Sequence, residues 1–526
     1  MALFVAINAK YVHTSLSVRY LKNAAGESAK IYECSINDST AAVAEEIFKT
    51  GEKHILFSCY LWNIEMVLKV SEILKKADNN IIITLGGPEV SFNAEKVLAE
   101  NPHITHIVCG EGETKMAEFI KNPPKRGIYD FGFVQNLDDL PFAYANGELE
   151  KIADRLVYYE TQRGCPYNCA FCLSSAARGV RFRSLDIVKK DILEFINSGV
   201  RLVKLVDRTF NADNRRAVEL VEFIKENSKN TSFHFEVKAE SISDELIDSL
   251  IGARKGLFQL EIGVQSTDKD TLSAISRQEN FEKLSYVVKR LSQNRGIHLH
   301  LDLIAGLPTE NLEKFKKSFN DVYSLNPHDL QLGFLKKLHG AKITDDDGVF
   351  SSFPPYEVIK TDFMGYEDIV MLKGVSAALE KLYNSGAFFN TLKTLICEFS
   401  SPFEMFYDLS QYFDFTKSIS QKRLYEVMHE YAIARFGGNK LKNAIIFDFC
   451  LSNRDYLSFM ENDEGLKKEA FEFLKNEEIF TKIFPEFKDI KPTERYKKLR
   501  FYKIDNKVFA FDSNEKKATD VTNFFA

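Results

Sequence analysis

The sequence predicts an α/β chain in three parts: a doubly wound parallel sheet, a second βα-repeat region able to close into a full or partial barrel, and a mainly α-helical C-terminal region. Three observations predict it. Over about the first 120 residues, short apolar runs alternate with helix-length amphipathic stretches, and runs without polar alternation suit strands covered on both faces by helices. The same alternation resumes near residue 155 and lasts to about 340. Beyond about 345 it gives way to amphipathic stretches rich in Phe and Tyr.

Size and charge bound the reading. At 526 residues the chain exceeds one core, and about three domains are expected. Hydrophobic residues at 45% and charged residues at 27% exclude a largely disordered chain. Sixty-nine Lys and Arg against 75 Asp and Glu leave a formal net charge of -6, so no global basic field gathers nucleic acid or anionic lipid. The N-terminal apolar run of about seven residues is too short for a secretory signal, and nowhere do about 18 apolar residues run together. A cytoplasmic protein without membrane contact is expected.

In order, strands are predicted at 2–7, 29–34, 54–58, 81–86 and 106–110, with helices near 14–24, 39–50, 64–77, 93–100 and 113–121. Five βα units form a doubly wound domain whose ligand crevice lies beyond the carboxyl ends of its strands. Polar or Gly-rich turns fall at those ends: Asn8 to His13, Ser58-Cys59-Tyr60-Leu61-Trp62-Asn63, Gly86-Gly87-Pro88-Glu89 and Gly110-Glu111-Gly112-Glu113. Glycine lets backbone approach a ligand and present its N–H groups. One such turn alone is a tight βα connection; together at one edge they mark a site.

Residues 122–154 read as a linker, opened by Asn122-Pro123-Pro124. Strands follow at 155–160, 201–207, 233–239, 257–264, 298–306 and 329–335, with helices near 184–198, 214–228, 243–252, 281–294 and 311–325. Periodicity alone leaves open an arc, a closed barrel or a second doubly wound sheet. In the last region, 367–385 and 421–436 read as helices and 498–512 as a hairpin around Asp505-Asn506-Lys507. The segment from Arg495 to Lys503 interleaves basic and aromatic residues, as an RNA-contacting surface does. A solvated strand face with alternate residues buried is favoured over contact with nucleic acid.

Eight Cys are too few for a disulfide scaffold. Cys34, Cys59 and Cys109 lie in or beside apolar runs and read as small buried hydrophobes. Cys165, Cys169 and Cys172 instead crowd a CxxxCxxC stretch just past the first strand of the second region, where barrel chemistry sits. Structural zinc wants four closed ligands, and no second Cys pair exists. A four-iron, four-sulfur cluster held by three Cys keeps one iron for an exogenous ligand.

CxxxCxxC with Phe171 before its last Cys resembles the radical S-adenosylmethionine (radical SAM) superfamily. Four later stretches resemble that family's strand-end motifs in order and spacing: Val206 to Asn211, Phe235 to Glu240, Glu261 to Ser266 and Asp302 to Pro308. The resemblance covers roughly 150–340. It implies a partial TIM-type (β/α)6 radical SAM barrel. It also implies a 4Fe-4S cluster on Cys165, Cys169 and Cys172 that cleaves S-adenosylmethionine to a 5′-deoxyadenosyl radical for hydrogen abstraction. Phe171, Ile304 and Leu307 are expected beside the adenine. Glu236, Lys238 and Gln265 are expected at the ribose and methionine moieties, and Asp207 lining the site. The alternative for Glu236 and Lys238 is a cross-strand ion pair.

The N-terminal region resembles the cobalamin-binding subgroup, whose flavodoxin-like (Rossmann-like) domain presents a corrinoid over the cluster end of the barrel. Asn8, His13, Ser58, Tyr60, Gly86, Gly87, Pro88, Glu89, Gly110, Glu111 and Gly112 are the expected corrinoid contacts. The Asp-x-His-x-x-Gly signature of many cobalamin proteins is absent, the loop reading Asn8-Ala9-Lys10-Tyr11-Val12-His13, so cobalamin is inferred from architecture. The region after about 345 resembles an uncharacterised C-terminal domain of one branch. The domains are placed at 1–125, 126–154 (linker), 155–340 and 341–526. The resemblance implies methyl transfer from methylcobalamin to an unactivated carbon of an unidentified substrate, with a low-potential electron donor such as a flavodoxin or ferredoxin. Two rivals stand: a radical SAM enzyme whose first domain holds no cobalamin, and a non-enzymatic metal-stabilised RNA-binding module.

Overall fold

The computed structural model describes residues 1–525 apart from 145–146, 177–178, 294–295, 416 and 438–439. The described chain divides into two compact units, one of Met1–Pro327 with Leu332–Ile369 and one of His328–Gln331 with Val370–Ala526.

In the first unit, β1 (Ala2–Asn8), β2 (Ala29–Ser35), β3 (His54–Ser58), β4 (Ile82–Gly86), β5 (His106–Cys109) and β6 (Gly127–Asp130) form a parallel sheet in the order β2-β1-β3-β4-β5-β6. Every residue of β1 is buried, with Leu3, Val5 and Ile7 in one core and Ala2, Phe4 and Ala6 in the other. Helix Ile64–Ala77 covers one face through Val67, Val70 and Leu74, each such side chain contributing about 1.5–3 kcal/mol by burial. Strand order reverses between β1 and β3, which places a crevice at their carboxyl ends. The sequence led us to expect five strands. The sixth, β6, lies in the stretch read as linker; four residues long and alternately exposed, it carries too little apolar signal to stand out.

The second sheet follows from β7 (Leu156–Tyr159), after which β8 (Gln162–Cys165) and β9 (Gly179–Phe182) form a separate antiparallel hairpin. The sheet continues with β10 (Leu202–Leu205), β11 (Ser232–Val237), β12 (Phe258–Gln265), β13 (His298–Ala305) and β14 (Asp329–Phe334), in the order β14-β13-β12-β11-β10-β7. Its strands succeed one another without the reversal of a doubly wound sheet, and β7 and β14 are its two edges. It is an open six-stranded arc, which resolves the ambiguity left by periodicity. Alternation sorts its faces: Phe233, Phe235 and Val237 of β11 are buried against the helical layer, while His234 and Glu236 turn to the concave side. Helix starts are signalled locally, since Asp213, Ser243, Asn280 and Asn311 each accept a backbone N–H three residues on.

The second unit is mainly helical. It includes Gln421–Phe436, Lys442–Ser452 and Glu464–Lys475, together with a three-stranded antiparallel sheet of β17 (Leu499–Ile504), β18 (Lys507–Asp512) and β19 (Lys517–Asp520); the short pair β15 (Val349–Phe350) and β16 (Val358–Lys360) belongs to the first unit. Asp505 and Asn506 both have positive φ, as a two-residue type I′ hairpin turn requires. Among the described residues, no helix is long and apolar enough to cross a membrane.

Candidate functional site

Of the three clustered thiols, Cys165 ends β8, and Cys169 and Cys172 sit on the loop between β8 and β9. Gly164, one residue before Cys165, has φ +92°, and a Cβ there would collide with the Gly179 carbonyl oxygen; only glycine lets the hairpin close. Asp207, just past β10, anchors its start by accepting from Thr161 N at 2.7 Å, Thr161 Oγ1 at 2.6 Å and Gln162 N at 3.1 Å. It is fully buried, and burial pushes its carboxyl up to about 7 against these bonds. This corrects the expectation that Asp207 lines the cofactor: both its oxygens are spent on the chain. The loop itself is tethered through Ala170, whose N–H donates to Ile275 O at 2.9 Å and whose carbonyl accepts from Lys342 N at 2.8 Å.

Cys165 Sγ lies 3.5 Å from Thr209 Oγ1, and Arg277 Nη1 approaches Cys169 Sγ at 3.8 Å. Burial raises the Cys169 thiol while Arg277 opposes the rise. Arg277, which the sequence reading missed, also donates to the Gly263 carbonyl and pairs with Glu279 at 2.5 Å. Phe171 is half-buried on the same loop. Among the described residues, no three His, Cys, Asp or Glu side chains are gathered as a site for a single metal ion. The donor set is three soft thiols beside a guanidinium, and such ligands suit an iron–sulfur cluster.

Gln265 ends β12 with φ +70°, and its Oε1 is buried without a hydrogen-bond partner. Nearby on the concave face, Lys204 bridges Glu261 at 2.8 Å and Glu236 at 3.9 Å, and His234 meets Glu261 at 3.0 Å. Glu261 is half-buried, and against that burial His234 and Lys204 hold it down at about 2. Asp302 is pushed up by burial and by Glu261 and Glu236, and its Oδ1 has no hydrogen-bond partner. Lys238 pairs with Glu240 at 3.0 Å and lies 5.0 Å above the Tyr167 ring of the cysteine loop. Glu236 and Lys238 therefore do not form the cross-strand pair considered from sequence; they share β11's side of the arc and take different partners. Ile304 is half-buried on the concave face. Leu307 is fully buried in the protein and presents no surface to an adenine, which corrects its assignment. Asp302 Oδ1 stands 3.5 Å from His300 Nε2, and the Gln265 amide oxygen is an acceptor that a ribose hydroxyl or an ammonium group complements.

At the carboxyl edge of the first sheet, the predicted corrinoid residues divide. Asn8 is buried and donates to His13 O and Glu33 Oε1, each at 3.2 Å. His13 Nδ1 lies 2.6 Å from the Tyr158 hydroxyl of β7, and burial lowers its pKa so that the ring is held neutral. Ser58 is buried; Tyr60 donates to Ser17 Oγ at 3.1 Å and stacks on Trp62. Gly87 has φ +108°, and a Cβ would lie 2.6 Å from Cys59 O. Gly86 and Pro88 flank it, half-buried. Glu89 is buried and accepts from Tyr356 OH at 2.7 Å.

The Gly110-Glu111-Gly112-Glu113 turn reaches the cysteine hairpin. Glu111 pairs with Arg181 of β9 at 2.6 Å and with Arg163 of β8 at 3.1 Å, while Glu113 and Glu160 each meet Arg163 at 2.6 Å. A side chain on Gly112 would press on Leu21, and one on Gly110 would strike the Gly132 backbone. Asn8, Glu89 and Glu111 each bond to protein groups at this edge. Tyr11 and Trp62, on the same edge, are exposed and were passed over as contacts. Exposed aromatic faces and glycine-lined backbone fit the broad apolar rim of a corrinoid.

Three family models match the chain in series: a B12 binding domain over residues 2–120, the radical SAM superfamily over 159–322, and a protein of unknown function, DUF4080, over 347–524. The chain therefore carries a radical SAM domain. More particularly, it carries a B12-binding domain before its barrel and the DUF4080 domain after it. The radical SAM match implies a 4Fe-4S cluster and S-adenosylmethionine, and the first match implies cobalamin; a radical SAM enzyme also needs a reductant.

An uncharacterized methyltransferase of Pyrococcus horikoshii is 26% identical over 283 residues, covering 49% of this chain and 61% of that protein. The cobalamin-dependent radical SAM methyltransferase TokK of Streptomyces tokunonensis is 24% identical over 313 residues, covering 52% of this chain and 45% of TokK. The chain thus spans about half the length of the curated relatives it matches. The radical SAM methyltransferase TsrM of Kitasatospora setae has the same fold at TM-score 0.55 and 16% identity, covering 67% of this chain and 77% of TsrM.

Proposed function

We propose that this protein is a cobalamin-dependent radical SAM methyltransferase that modifies an unactivated carbon. The observation that carries this reading is the placement of Cys165, Cys169 and Cys172 on one glycine-closed hairpin, held between the concave face of the arc and the Glu111-Glu113 turn of the B12-binding domain. Cys165, Cys169 and Cys172 would hold the cluster, with Arg277 supplying a cation beside Cys169. Gln265, Glu236 and Lys238 would orient S-adenosylmethionine, with Phe171 and Ile304 against its adenine. The β1/β3 crevice, with Gly87, Tyr60, Tyr11 and Trp62, would seat the corrinoid, and His13, neutral and bonded to Tyr158, would serve as a polar contact to it. When bound, these cofactors supply one-electron, radical and methyl-transfer chemistry. The protein's own part is to bind, orient and exclude water. Asp302, carrying a raised carboxyl on the concave face, is the group we assign to hold a proton beside the substrate. Domain limits of 1–125, 155–340 and 341–526 are part of the same proposal.

The test is an anaerobic assay of reconstituted, cobalamin-loaded protein with methyl-labelled S-adenosylmethionine and fractionated cell extract. Label in a carbon-bound methyl of a product supports the reading. Cleavage of S-adenosylmethionine without methyl transfer, in protein that retains no corrinoid, overturns it.

A further inference from the structure

The second unit holds a cleft of about 430 Å³ beside β17 that none of the roles above uses. We propose that it binds a nucleotide, by the phosphate and by the flat face of the base.

The charge argument starts from buried arginines. Arg19, Arg183, Arg495 and Arg500 are buried. Arg19 pairs with Glu33, Arg183 with Asp191 and Arg495 with Glu477. Arg500 differs. Its guanidinium donates to the Asn453 and Asp455 carbonyls and approaches the Met460 sulfur at 3.9 Å, and its Nε has no partner. Among the described residues no carboxylate forms an ion pair with it. Aromatic rings and the more distant Asp455 carboxylate offset part of its charge, and an anion drawn into the cleft adds the direct ion pair it lacks. Lys503 lines the same space, as does Lys467, whose ammonium also meets Glu464 at 2.8 Å. Asp463 also lines it, but its side chain is committed to capping helix Glu464–Lys475.

The aromatic argument is independent. Arg500 already lies 4.4 Å from the centre of the Tyr456 ring and also stands over Phe449 and Tyr502, so the face offered to a base is that of Tyr496, 38% exposed at the rim. A base stacks on such faces whatever its sequence, and Glu461 stands in the lining to accept ribose or base hydrogens. The volume lies within the range of small-ligand clefts, about 300–1,000 Å³. Basic and aromatic residues interleave from Arg495 to Lys503. Of these, Arg495 is taken by Glu477, so the recognising set is Tyr496, Arg500 and Lys503.

The nucleotide could come free or as a residue of single-stranded RNA, and the experiment separates the sources. Full-length protein is titrated by calorimetry with a nucleoside monophosphate, the parent nucleoside, inorganic phosphate and a short single-stranded RNA. No turnover is needed, so the outcome does not depend on the proposed methyl transfer. Saturable binding of the monophosphate is expected, weakened about tenfold by Tyr496→Ala and by Lys467→Ala, each worth about 1.4 kcal/mol. These two rim variants avoid the folding risk of changing Arg500. RNA binding much more tightly than the monophosphate identifies a strand as the source; equal affinity identifies a free nucleotide. Absence of saturable binding, binding untouched by both variants, or inorganic phosphate binding as well as the nucleotide overturns the proposal.

Discussion

Cys169 and Arg277 lie 108 residues apart in sequence and 3.8 Å apart in space. The thiol was legible because three cysteines share one short stretch; the arginine was not, because only the fold brings it there. Replacing Cys172 by Ala is expected to abolish the iron–sulfur absorbance and S-adenosylmethionine cleavage while far-ultraviolet circular dichroism stays native. Gly164→Ala forces a residue with a Cβ into left-handed backbone and is expected to cost about 1–3 kcal/mol or more, read as a lowered unfolding midpoint with reduced iron content.

Asp207 makes a pH prediction. Its folded value is about 7 against an unfolded value of about 3.9. Between these, the folded protein keeps a proton that the unfolded chain has lost. Its contribution is therefore full below about pH 4 and is lost as pH rises through about 7, at up to about 1.4 kcal/mol per pH unit. Asp207→Asn is expected to flatten the fall of the urea midpoint between about pH 5 and pH 7; an unchanged slope contradicts the burial argument.

At the scale of elements, the hairpin β8–β9 and the turn after β5 act together. Arg163 stands among Glu111, Glu113 and Glu160 and is mostly buried. Arg163→Met takes the partner from Glu113 and Glu160 while Glu111 keeps Arg181, and is expected to destabilise by about 3–5 kcal/mol. A double-mutant cycle of Glu111→Gln with Arg181→Ala isolates the direct contact, with an expected coupling of about 0.5–3 kcal/mol, and should lower cluster occupancy in both single variants. Coupling near zero with full occupancy contradicts the clamp. The Gly-Glu-Gly-Glu turn was read from sequence as a ligand loop because glycine and acid at a strand end suit both jobs. Which job it does depends on what faces it, and Arg181 on the opposing strand carries no local sign of that. The strands of both sheets were legible because apolar runs of β length recur between amphipathic helices. The hairpin was not, since Gln162 to Cys165 holds no apolar run at all.

For the whole molecule, order along the chain was more legible than function. The unbroken progression from β7 to β14 makes the second sheet an arc, and its charged concave face carries Lys204, Glu236, Glu261 and Asp302 where a closed core would carry aliphatic side chains. That inward polarity was visible in the alternation of β11 and β13, but the ion pairs across strands needed register. The B12-binding sheet and strands β7 to β13 of the arc lie within one compact unit, joined by the clamp and by His13 at Tyr158. His13→Ala is expected to reduce retained corrinoid only modestly if backbone and aromatic faces do the holding, whereas Trp62→Ala with Tyr11→Ala should reduce it severely, both read from corrinoid absorbance after purification.

The central claim is that the three-thiol hairpin carries a cluster to which S-adenosylmethionine binds. Electron paramagnetic resonance of anaerobically reduced protein, recorded before and after adding S-adenosylmethionine, tests it most directly. A reduced 4Fe-4S signal that changes on addition, and that is lost in the Cys172→Ala variant, is the predicted result; no such signal, or one indifferent to S-adenosylmethionine, contradicts the account.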